Sequence, residues 1–220
     1  MSERKASGST AQRQLLGATA QRILDEDPVY LSIYAARYKF VARILNSVHC
    51  VTEVGSGDGF GSLFLSKVAK AVNCIDIDEE TLENCRERLS GLKNVSFHYH
   101  DLVQSPLLRL VGSSDAIVMV DVLEHIFAEE EASFLKHSCQ LLKRDGFAIV
   151  GTPNLEAARF AGEHSRRTHV NLKSAISLRR TLETHFERVF LFGQNDEVIH
   201  TGFDGLRHYL WAIAFGPRQP

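Results

Sequence analysis

The sequence predicts an α/β fold, a mostly parallel sheet with helices on both faces. Apolar runs and helical segments alternate as βαβαβ between residues 50 and 151, and such alternation is typical of parallel sheets. A glycine-rich loop follows the first apolar run directly, at the strand end where open α/β sheets bind ligands. Two further strand-like runs, 189–193 and 208–215, come after the five apolar runs of this region, and we expect one of them to form an antiparallel strand.

The residues before the first strand predict a disordered start and a helical cap. Residues 1–10 are polar and small, which favours disorder. Apolar residues at helical spacing then fall within residues 11–48, with a break at Pro28, so we expect two helices there. Tyr34 and Arg37 lie on the second helix, where they could face a ligand or pack on the sheet.

Composition excludes several classes of function. The chain has 220 residues, 44% of them hydrophobic and 24% charged, which is ordinary for a globular domain. Its formal charge of −2 offers no basic field for nucleic acid, and no apolar run reaches the roughly 18 residues of a membrane span. The four cysteines form no C-x-x-C pair, so we expect neither zinc nor disulfides. The first residues lack the apolar core of a secretory signal, so the expected compartment is the cytoplasm.

The glycine loop predicts a nucleotide-like cofactor. The segment VTEVGSGDGFG carries glycine at four alternate positions from 55 to 61, with Glu53 two residues before the first. Glycines at a strand end let a ligand lie against the main chain, and the following helix offers free N–H groups. The dinucleotide fingerprint G-x-G-x-x-G fails, because Phe60 stands where its third glycine should be. A nicotinamide-dependent oxidoreductase is therefore disfavoured.

Acidic residues stand at the ends of the next predicted strands. The second run contains Asp76, 21 residues after Gly55, and a carboxylate at about this distance can hold the ribose hydroxyls of a nucleoside. The third run leads to Asp101 and Leu102, the fourth to the sequence DVLEH at 121–125, and the fifth to GTPN. Because parallel strands end at one edge of a sheet, we expect these residues to share one rim.

In order and spacing, these motifs resemble the class I S-adenosylmethionine-dependent methyltransferases over residues 50–155. The E-x-G-x-G-x-G pattern is similar to the first motif of that superfamily, and DAIVMVDVLEHI to its fourth. The resemblance implies a Rossmann-like sheet of seven strands, mostly parallel, with an antiparallel last strand, in a domain over residues 49–220. It also implies an insertion at about 155–172 that covers the substrate.

The resemblance further implies S-adenosylmethionine as the cofactor. Asp76 would hold the ribose hydroxyls, Asp101 would accept a hydrogen bond from the adenine amino group, and the backbone N–H of Leu102 would reach a ring nitrogen. The full set implied for cofactor binding comprises Glu53, Gly55, Gly57, Gly59, Asp76, Asp101, Leu102 and Asp121.

Histidines provide the candidates for a general base. Methyl transfer to a hydroxyl needs a group that takes a proton, and histidine titrates near neutral pH. His125 follows the fourth strand, His169 lies in the insertion, and His200 follows the sixth strand. Asp121, at the end of the fourth strand, is the remaining catalytic candidate. For each histidine the alternative is a hydrogen-bonded structural role.

Asp121, Glu124 and His125 also form a D-x-x-E-H set, whose spacing would place them on one face of a helix. The set resembles the E-x-x-E-H metal site of small-RNA 2′-O-methyltransferases, with aspartate in place of the first glutamate. A divalent metal is therefore an option, with His169 or His200 completing its shell, but we do not favour it.

We expect an enzyme that methylates a hydroxyl of a small polar acceptor, such as a sugar or a phosphorylated metabolite. Arg166 and Arg167 could receive a phosphate, or could simply be solvated surface. Transfer to the nitrogen of a small amine is one alternative, and a catalytically inactive cofactor-binding partner subunit is another. No basic stripe or stacking aromatic patch supports RNA as the acceptor, and we expect neither a nucleic-acid nor a membrane partner.

Overall fold

In a computed structural model of the chain, residues 16–46 and 48–218 are described. The disorder predicted for residues 1–10 lies outside them. The α-helices are α1 (Ala18–Glu26), α2 (Pro28–Ile44), α3 (Phe60–Leu65), α4 (Glu79–Arg88), α5 (Glu131–Gln140), α6 (Glu163–Thr168) and α7 (Ala175–Glu183). The strands are β1 (Cys50–Val54), β2 (Ala71–Asp76), β3 (Val95–Tyr99), β4 (Ser114–Val120), β5 (Leu142–Pro153), β6 (Phe186–Asn195), β7 (Val198–His200) and β8 (Tyr209–Pro217). Short 3₁₀ turns span Leu108–Leu110, Leu123–His125, Leu155–Phe160 and Asp204–Leu206. No helix in the described ranges has the length and apolarity needed to cross a membrane.

The sheet confirms the predicted α/β class and corrects its strand count. Its order is β3-β2-β1-β4-β5-β8-β6-β7. Strands β1 to β5 are parallel, and β8 runs antiparallel to both β5 and β6, as expected for the last strand. The described residues form eight strands rather than seven, because the chain reverses at Asp196 and adds the short β7 against β6. Asp196 makes this reversal with a left-handed backbone, φ 49°.

The strand order determines where a ligand can bind. β1 lies between β2 and β4. After β1 the chain adds β2 and β3 on one side of it, and then adds β4 and β5 on the other side. Such a reversal opens a crevice beyond the carboxyl ends of the strands. The glycine loop, Asp76, Asp101 and Asp121 stand at or just after the ends of β1, β2, β3 and β4. The topology therefore brings the predicted cofactor residues to one edge.

The two cap helices meet at Asp27, which confirms the predicted break at Pro28. The Asp27 side chain accepts hydrogen bonds from the two backbone N–H groups at positions 29 and 30, and proline in a first helical turn loses no hydrogen bond. α2 then packs on the sheet, with the ring centroid of Phe40 4.9 Å from that of Trp211. The cap is thereby part of the hydrophobic core on this face of the sheet.

Strand β5 is longer than the sequence suggests. The sequence predicts a turn at 144–146 before the fifth strand, whereas β5 begins at Leu142 and includes those residues. Its pairing with β4 shifts from Ser114–Leu142 to Ala116–Phe147, so β5 has extra residues between the two pairs. A bulge and a turn use the same residue types, glycine and aspartate among them, and therefore look alike in sequence.

Candidate active site

The glycine loop separates two cavities. A main cavity of about 770 Å³ lies between the cap helices, the carboxyl ends of β1, β4 and β5, and the start of β8. A side cavity of about 810 Å³ lies between the start of α1 and α4, and Asp76 is part of its wall. Thr19, Gly57 and Asp58 line both cavities, so the two spaces adjoin at the loop.

Two glycines of the loop are required for different reasons. Gly57 has a left-handed backbone, φ 49°, and a Cβ built on it finds no atom of the described residues within 4 Å, so this position faces open space among them. A Cβ on Gly61 would instead collide with the side chains of Glu53 and Tyr38. Gly57 therefore leaves room for a ligand against the main chain, whereas Gly61 lets α3 pack closely on β1 and α2.

Asp76 is held ready beside the loop. Its Oδ2 atom accepts a hydrogen bond from the backbone N–H of Gly57 at 2.7 Å, and its Oδ1 atom accepts one from Asp78 at 3.0 Å. These contacts fix the carboxylate in the wall of the side cavity while each oxygen keeps a further lone pair. The geometry is consistent with the predicted contact to ribose hydroxyls.

Asp101 and Leu102 stand on the neighbouring strand end but line neither cavity. The Asp101 Oδ1 atom accepts a hydrogen bond from the N–H of Val103 at 2.8 Å. Leu102 is buried, and its carbonyl bonds to the Nδ1 atom of His137 at 2.8 Å. The loop after β3 is thus well fixed, and the predicted adenine contacts stay predictions.

The structure places Glu53 behind the glycine loop rather than at its surface. Glu53 is 2% exposed, lines neither cavity, and accepts a hydrogen bond from the Ser62 hydroxyl at 2.6 Å. Burial raises the pKa of this carboxyl from 4.5 to about 8. The carboxyl of Glu53 thus connects β1 to α3 from below the loop, and its predicted contact with the cofactor stays a prediction.

Asp58 joins the loop to the first cap helix. Its Oδ2 atom accepts a hydrogen bond from the backbone N–H of Ala20 at 2.8 Å, and its Oδ1 atom accepts one from Phe60 at 3.1 Å. α1 begins after Gly17 without a side-chain cap of its own, so Asp58 satisfies one of its free N–H groups. The position of α1 over the loop thus depends on a residue of the loop.

An ion pair crosses the inner end of the main cavity. Arg37 of α2 donates to the Oδ2 atom of Asp121 at 2.6 Å, and the guanidinium lies 4.0 Å from the ring centroid of Tyr209. Asp121 takes up a left-handed backbone, φ 57°, directly after β4. The negative charge of Asp121 and the aromatic rings compensate the burial of Arg37. Asp121 therefore lines the cavity with its charge already paired, and its predicted roles in cofactor binding and catalysis stay predictions.

Sequence reasoning left Arg37 without an assigned role and missed Asp58 and Tyr209. Arg37 carries a signal that could have been used, since a lone arginine between Tyr34 and Tyr38 is unusual on a helix face that packs on the core. Asp58 and Tyr209 carry no such signal, because their partners lie 38 and 172 residues away from them in the chain.

The structure brings His125 and His169 together beside Glu124. The two imidazole rings lie 5.1 Å apart in an edge-to-face arrangement, and both line the main cavity. The backbone N–H groups of Val170 and Asn171 donate to the carbonyl of Glu124 at 2.8 and 3.1 Å, which holds the two segments together. Glu124 is fully buried, and burial with the nearby Asp121 charge raises its pKa.

The same three side chains could hold a divalent cation. One candidate ligand atom each from Glu124, His125 and His169 lies within 4.8 Å of the others. Asp121, the other member of the D-x-x-E-H set, is paired with Arg37 instead. Asp121 lies before the short 3₁₀ turn that replaces the expected helix and has a left-handed backbone, so it does not share a helical face with Glu124 and His125.

Three residues that the sequence offered as candidates lie away from this site. His200 lies on β7, where it pairs with Gly193 and accepts a hydrogen bond from Gly202 at 3.0 Å, and it does not line the main cavity. The hairpin of β6 and β7 places His200 back along β6. Arg166 and Arg167 are exposed on α6 and do not line the cavity either, and Arg166 donates to the carbonyl of Ala161 at 2.6 Å.

A parallel sheet of this order, with a glycine loop and acidic strand ends around adjoining cavities, defines the class I methyltransferase fold. A family model described as "Methyltransferase domain" matches residues 52–150, from β1 to β5. Over residues 52–150 the chain therefore resembles the S-adenosylmethionine-dependent methyltransferases, and its fold is that of their class I structures.

Comparisons with known proteins agree with this assignment. A probable S-adenosylmethionine-dependent methyltransferase of Mycobacterium tuberculosis is 28% identical over 151 residues, which is 67% of this chain and 52% of the relative. The chain spans about half the length of the curated relatives it matches. The N-methyltransferase NodS of Bradyrhizobium japonicum, solved with S-adenosyl-L-homocysteine, is 16% identical with a TM-score of 0.65, covering 91% of this chain and 97% of NodS. The methyltransferase domain of a bacterial Hen1 is 22% identical with a TM-score of 0.65, and the match covers 84% of this chain and 99% of the Hen1 domain.

The residues present fit S-adenosylmethionine, the cofactor of the superfamily. Gly57 faces open space beside the fixed carboxylate of Asp76. Among the described residues, seven buried side-chain polar atoms have no hydrogen-bond partner, and four of them belong to residues that line the main cavity. The four atoms are Arg37 Nε, Ser56 Oγ, Glu124 Oε1 and Tyr209 Oη. Buried polar groups are normally paired, so their concentration here fits a cavity that receives a polar ligand.

Proposed function

We propose that the protein transfers a methyl group from S-adenosylmethionine to a hydroxyl of a small, uncharged polar acceptor, such as a sugar, in the main cavity. The cofactor supplies an electrophilic methyl group on a sulfonium. The residues of the chain align the acceptor, exclude water and take the hydroxyl proton. The pairing of His125 with His169 in the wall of the main cavity is the observation that carries the proposal.

The hydrogen bond of His125 favours a role as the base. Its Nδ1 atom lies 3.1 Å from the carbonyl oxygen of Thr168. A carbonyl oxygen only accepts, so Nδ1 carries the proton and donates. In the neutral imidazole the lone pair then lies on Nε2, which is the atom that takes a proton from the acceptor. His169, beside it, is the second group able to receive or pass on that proton.

The charge of the cavity wall favours an uncharged acceptor over a phosphorylated one. Among the described residues, five carboxylates line the main cavity against two guanidinium groups; they belong to Glu26, Asp27, Asp58, Asp121 and Asp196, and to Arg22 and Arg37. A sixth carboxyl group, that of Glu124, is favoured in its neutral form by burial. Both arginines are already paired, Arg22 with Glu26 at 3.0 Å and Arg37 with Asp121 at 2.6 Å. Within the part of the chain that the structure describes, a phosphate ester would meet no unpaired guanidinium group in this wall. The proposal includes three further points: the acceptor, a cytoplasmic compartment, and the absence of a nucleic-acid or membrane partner of the protein.

The same acidic wall favours one alternative, the methylation of a small amine. A cationic amine would be attracted by the carboxyl groups. Once it has lost its proton, an amine attacks without further base assistance, so the two histidines would matter less. An inactive cofactor-binding subunit is the other alternative, and any release of S-adenosylhomocysteine with a defined acceptor excludes it.

The first experiment screens acceptors by release of S-adenosylhomocysteine. Neutral sugars, their phosphate esters and small amines are tested in parallel pools. We expect turnover with a neutral polyhydroxy compound and at least about tenfold less with its phosphate ester, because the wall is acidic. Equal or greater turnover of the phosphate ester would contradict the charge argument.

The second experiment replaces the histidines. We expect His125→Asn to lower kcat by at least about 100-fold, within the usual range for a general base, and His169→Asn to lower it by about tenfold or more. Cofactor affinity should stay within about threefold. His200→Asn is the matched control, because His200 does not line the cavity, and should keep kcat. Small losses in both site variants would instead favour the nitrogen acceptor.

A further inference from the structure

A buried ion pair lies outside both cavities, beneath the segment that carries His169. The Nζ atom of Lys173 lies 2.6 Å from the Oε2 atom of Glu131, and the two side chains are only 9% and 12% exposed. Asn171 donates to the same Oε2 atom at 2.8 Å, and Thr181 donates to Oε1 at 3.3 Å. Lys173 also donates to the Oδ1 atom of Asn171 at 3.0 Å. Both oxygens of the carboxylate are therefore occupied.

The pair joins three parts of the fold at one point. Glu131 begins α5, Thr181 lies in α7, and Lys173 ends segment 168–173, which leads from the last residue of α6 toward α7. The carbonyl of Lys173 in turn accepts a hydrogen bond from the N–H of Leu155 at 2.8 Å, just after β5. Neither Glu131 nor Lys173 lines the main cavity or the side cavity. A contact with the acceptor is thus not their role.

The same segment reaches the active site at its other end. The carbonyl of Thr168 accepts the hydrogen bond from His125, and the N–H groups at 170 and 171 donate to the carbonyl of Glu124. His169 lies between these contacts. A segment of six residues is therefore fixed at one end by the candidate base and at the other by the buried ion pair.

We propose that Glu131 and Lys173 are positioning residues, which set the place of His169 against His125 and so the rate of methyl transfer. This inference rests on the proposed function. A buried ion pair contributes little net stability compared with apolar residues, whereas its geometry is narrow. The pair thus serves the position of one short segment more than the stability of the whole fold.

The test removes both charges together. Removing one partner alone leaves a buried charge without compensation and can unfold the protein, so Glu131→Gln is combined with Lys173→Met. We expect kcat to fall at least about tenfold, with cofactor affinity within about threefold and a folded circular dichroism spectrum. In a His169→Asn background the same double variant should cause less than a twofold further loss, because its effect passes through His169.

Lys143→Met is the matched control. Lys143 also forms an ion pair, with Asp115 at 2.6 Å, but far from the cavities. It should leave kcat unchanged. Full kcat in the double variant, or an equal loss in the His169→Asn background, would overturn the inference, because the pair would then be either dispensable or a general support of the fold.

A measurement without substrate separates this inference from the proposed function. The ring resonances of His125, His169 and His200 are followed by NMR in the free protein. We expect the double variant to shift the signals of His169 and His125 and to leave that of His200 in place. An unchanged His169 signal would overturn the positioning role even if every histidine variant had the predicted kinetics. A shifted signal with no kinetic role for His169 would support the positioning of His169 but contradict its part in the proposed reaction.

Discussion

Two buried glutamates mark the two sides of the reaction site. Glu53 lies under the glycine loop with its Oε2 atom bonded to Ser62, and Glu124 lies beside the histidines with its Oε2 atom bonded to Thr152 at 3.0 Å. In each, burial raises the pKa of the carboxyl above its ordinary value. Each glutamate is therefore most stable in its neutral form, and each should make the protein sensitive to pH.

For Glu53 the direction of this pH dependence follows from the pKa. The carboxyl titrates near 4.5 when unfolded and at about 8 when folded, so between these values the folded state binds more protons. Stability is greatest below pH 4.5 as far as this group is concerned, and falls as pH rises toward 8. The fall is at most about 5 kcal/mol, because each unit of pKa corresponds to about 1.4 kcal/mol.

The substitution Glu53→Gln tests this expectation. Glutamine cannot ionise, so the free energy of unfolding of the variant should change less than that of the original protein between pH 5 and pH 8. Urea titrations at four pH values measure the difference. Parallel pH profiles for the two proteins would show that Glu53 is ionised in the folded state.

Chelation tests the metal option at the same residues. We expect turnover to survive exhaustive dialysis against a chelator, because Asp121 is paired with Arg37 and one oxygen of Glu124 already accepts a hydrogen bond from Thr152. The metal content of the dialysed protein is measured alongside its rate. Loss of activity that a single divalent metal restores would contradict this expectation and would make Glu124, His125 and His169 ligands.

At the scale of elements, the glycine loop combines two separate requirements. Gly57 faces open space at the junction of the two cavities, and Gly61 is pressed against Glu53 and Tyr38. The sequence pattern does not distinguish them, because it records only that glycine stands at alternate positions. The distinction requires the neighbours, which come from α2 and β1.

Paired alanine substitutions separate these requirements. We expect Gly57→Ala to weaken binding of S-adenosylhomocysteine by at least about tenfold while costing about 1–2 kcal/mol of stability, the usual penalty for a left-handed backbone. Gly61→Ala should cost more stability, because its Cβ has no room. Calorimetry and thermal unfolding measure the two effects. If Gly57→Ala left binding intact, the ligand would not lie against this part of the loop.

The elements also show how far sequence can lead. The glycine loop, Asp76 and the break at Pro28 were predictable, because each depends on residues close together in the chain. The bond between Asp58 and Ala20, the extra strand β7 and the bulge in β5 were not. Each depends on a partner from a distant segment, or on a turn signal that has more than one structural outcome.

At the scale of the whole molecule, the strand order made the site predictable. Once the strands are parallel, their carboxyl ends must share an edge, so Asp76, Asp101 and Asp121 come together without any knowledge of side-chain packing. The neighbourhood of His125 and His169 was harder to predict, because it depends on the path of segment 168–173. That His200 does not line the main cavity was equally hard to predict, because its position depends on the added strand β7.

The distribution of charge over the whole molecule explains why the cavity is acidic. The formal charge of the whole chain is only −2, yet among the described residues carboxylates outnumber guanidinium groups five to two around the main cavity. Net charge therefore says little about the acceptor, because charge is distributed unevenly over the folded surface. Only the arrangement in space shows that both arginines of the wall are already paired.

Calorimetric titration with S-adenosylhomocysteine is the most direct test of the cofactor site, on which the proposed reaction depends. The folded protein should bind one equivalent, and Asp76→Ala should weaken the binding by at least about tenfold, since its carboxylate would no longer face the ribose. A variant at the distant Asp115, Asp115→Ala, serves as the control and should bind normally. An absence of binding heat across a range of temperatures, on protein shown to be folded, would contradict the cofactor site and the reaction built on it.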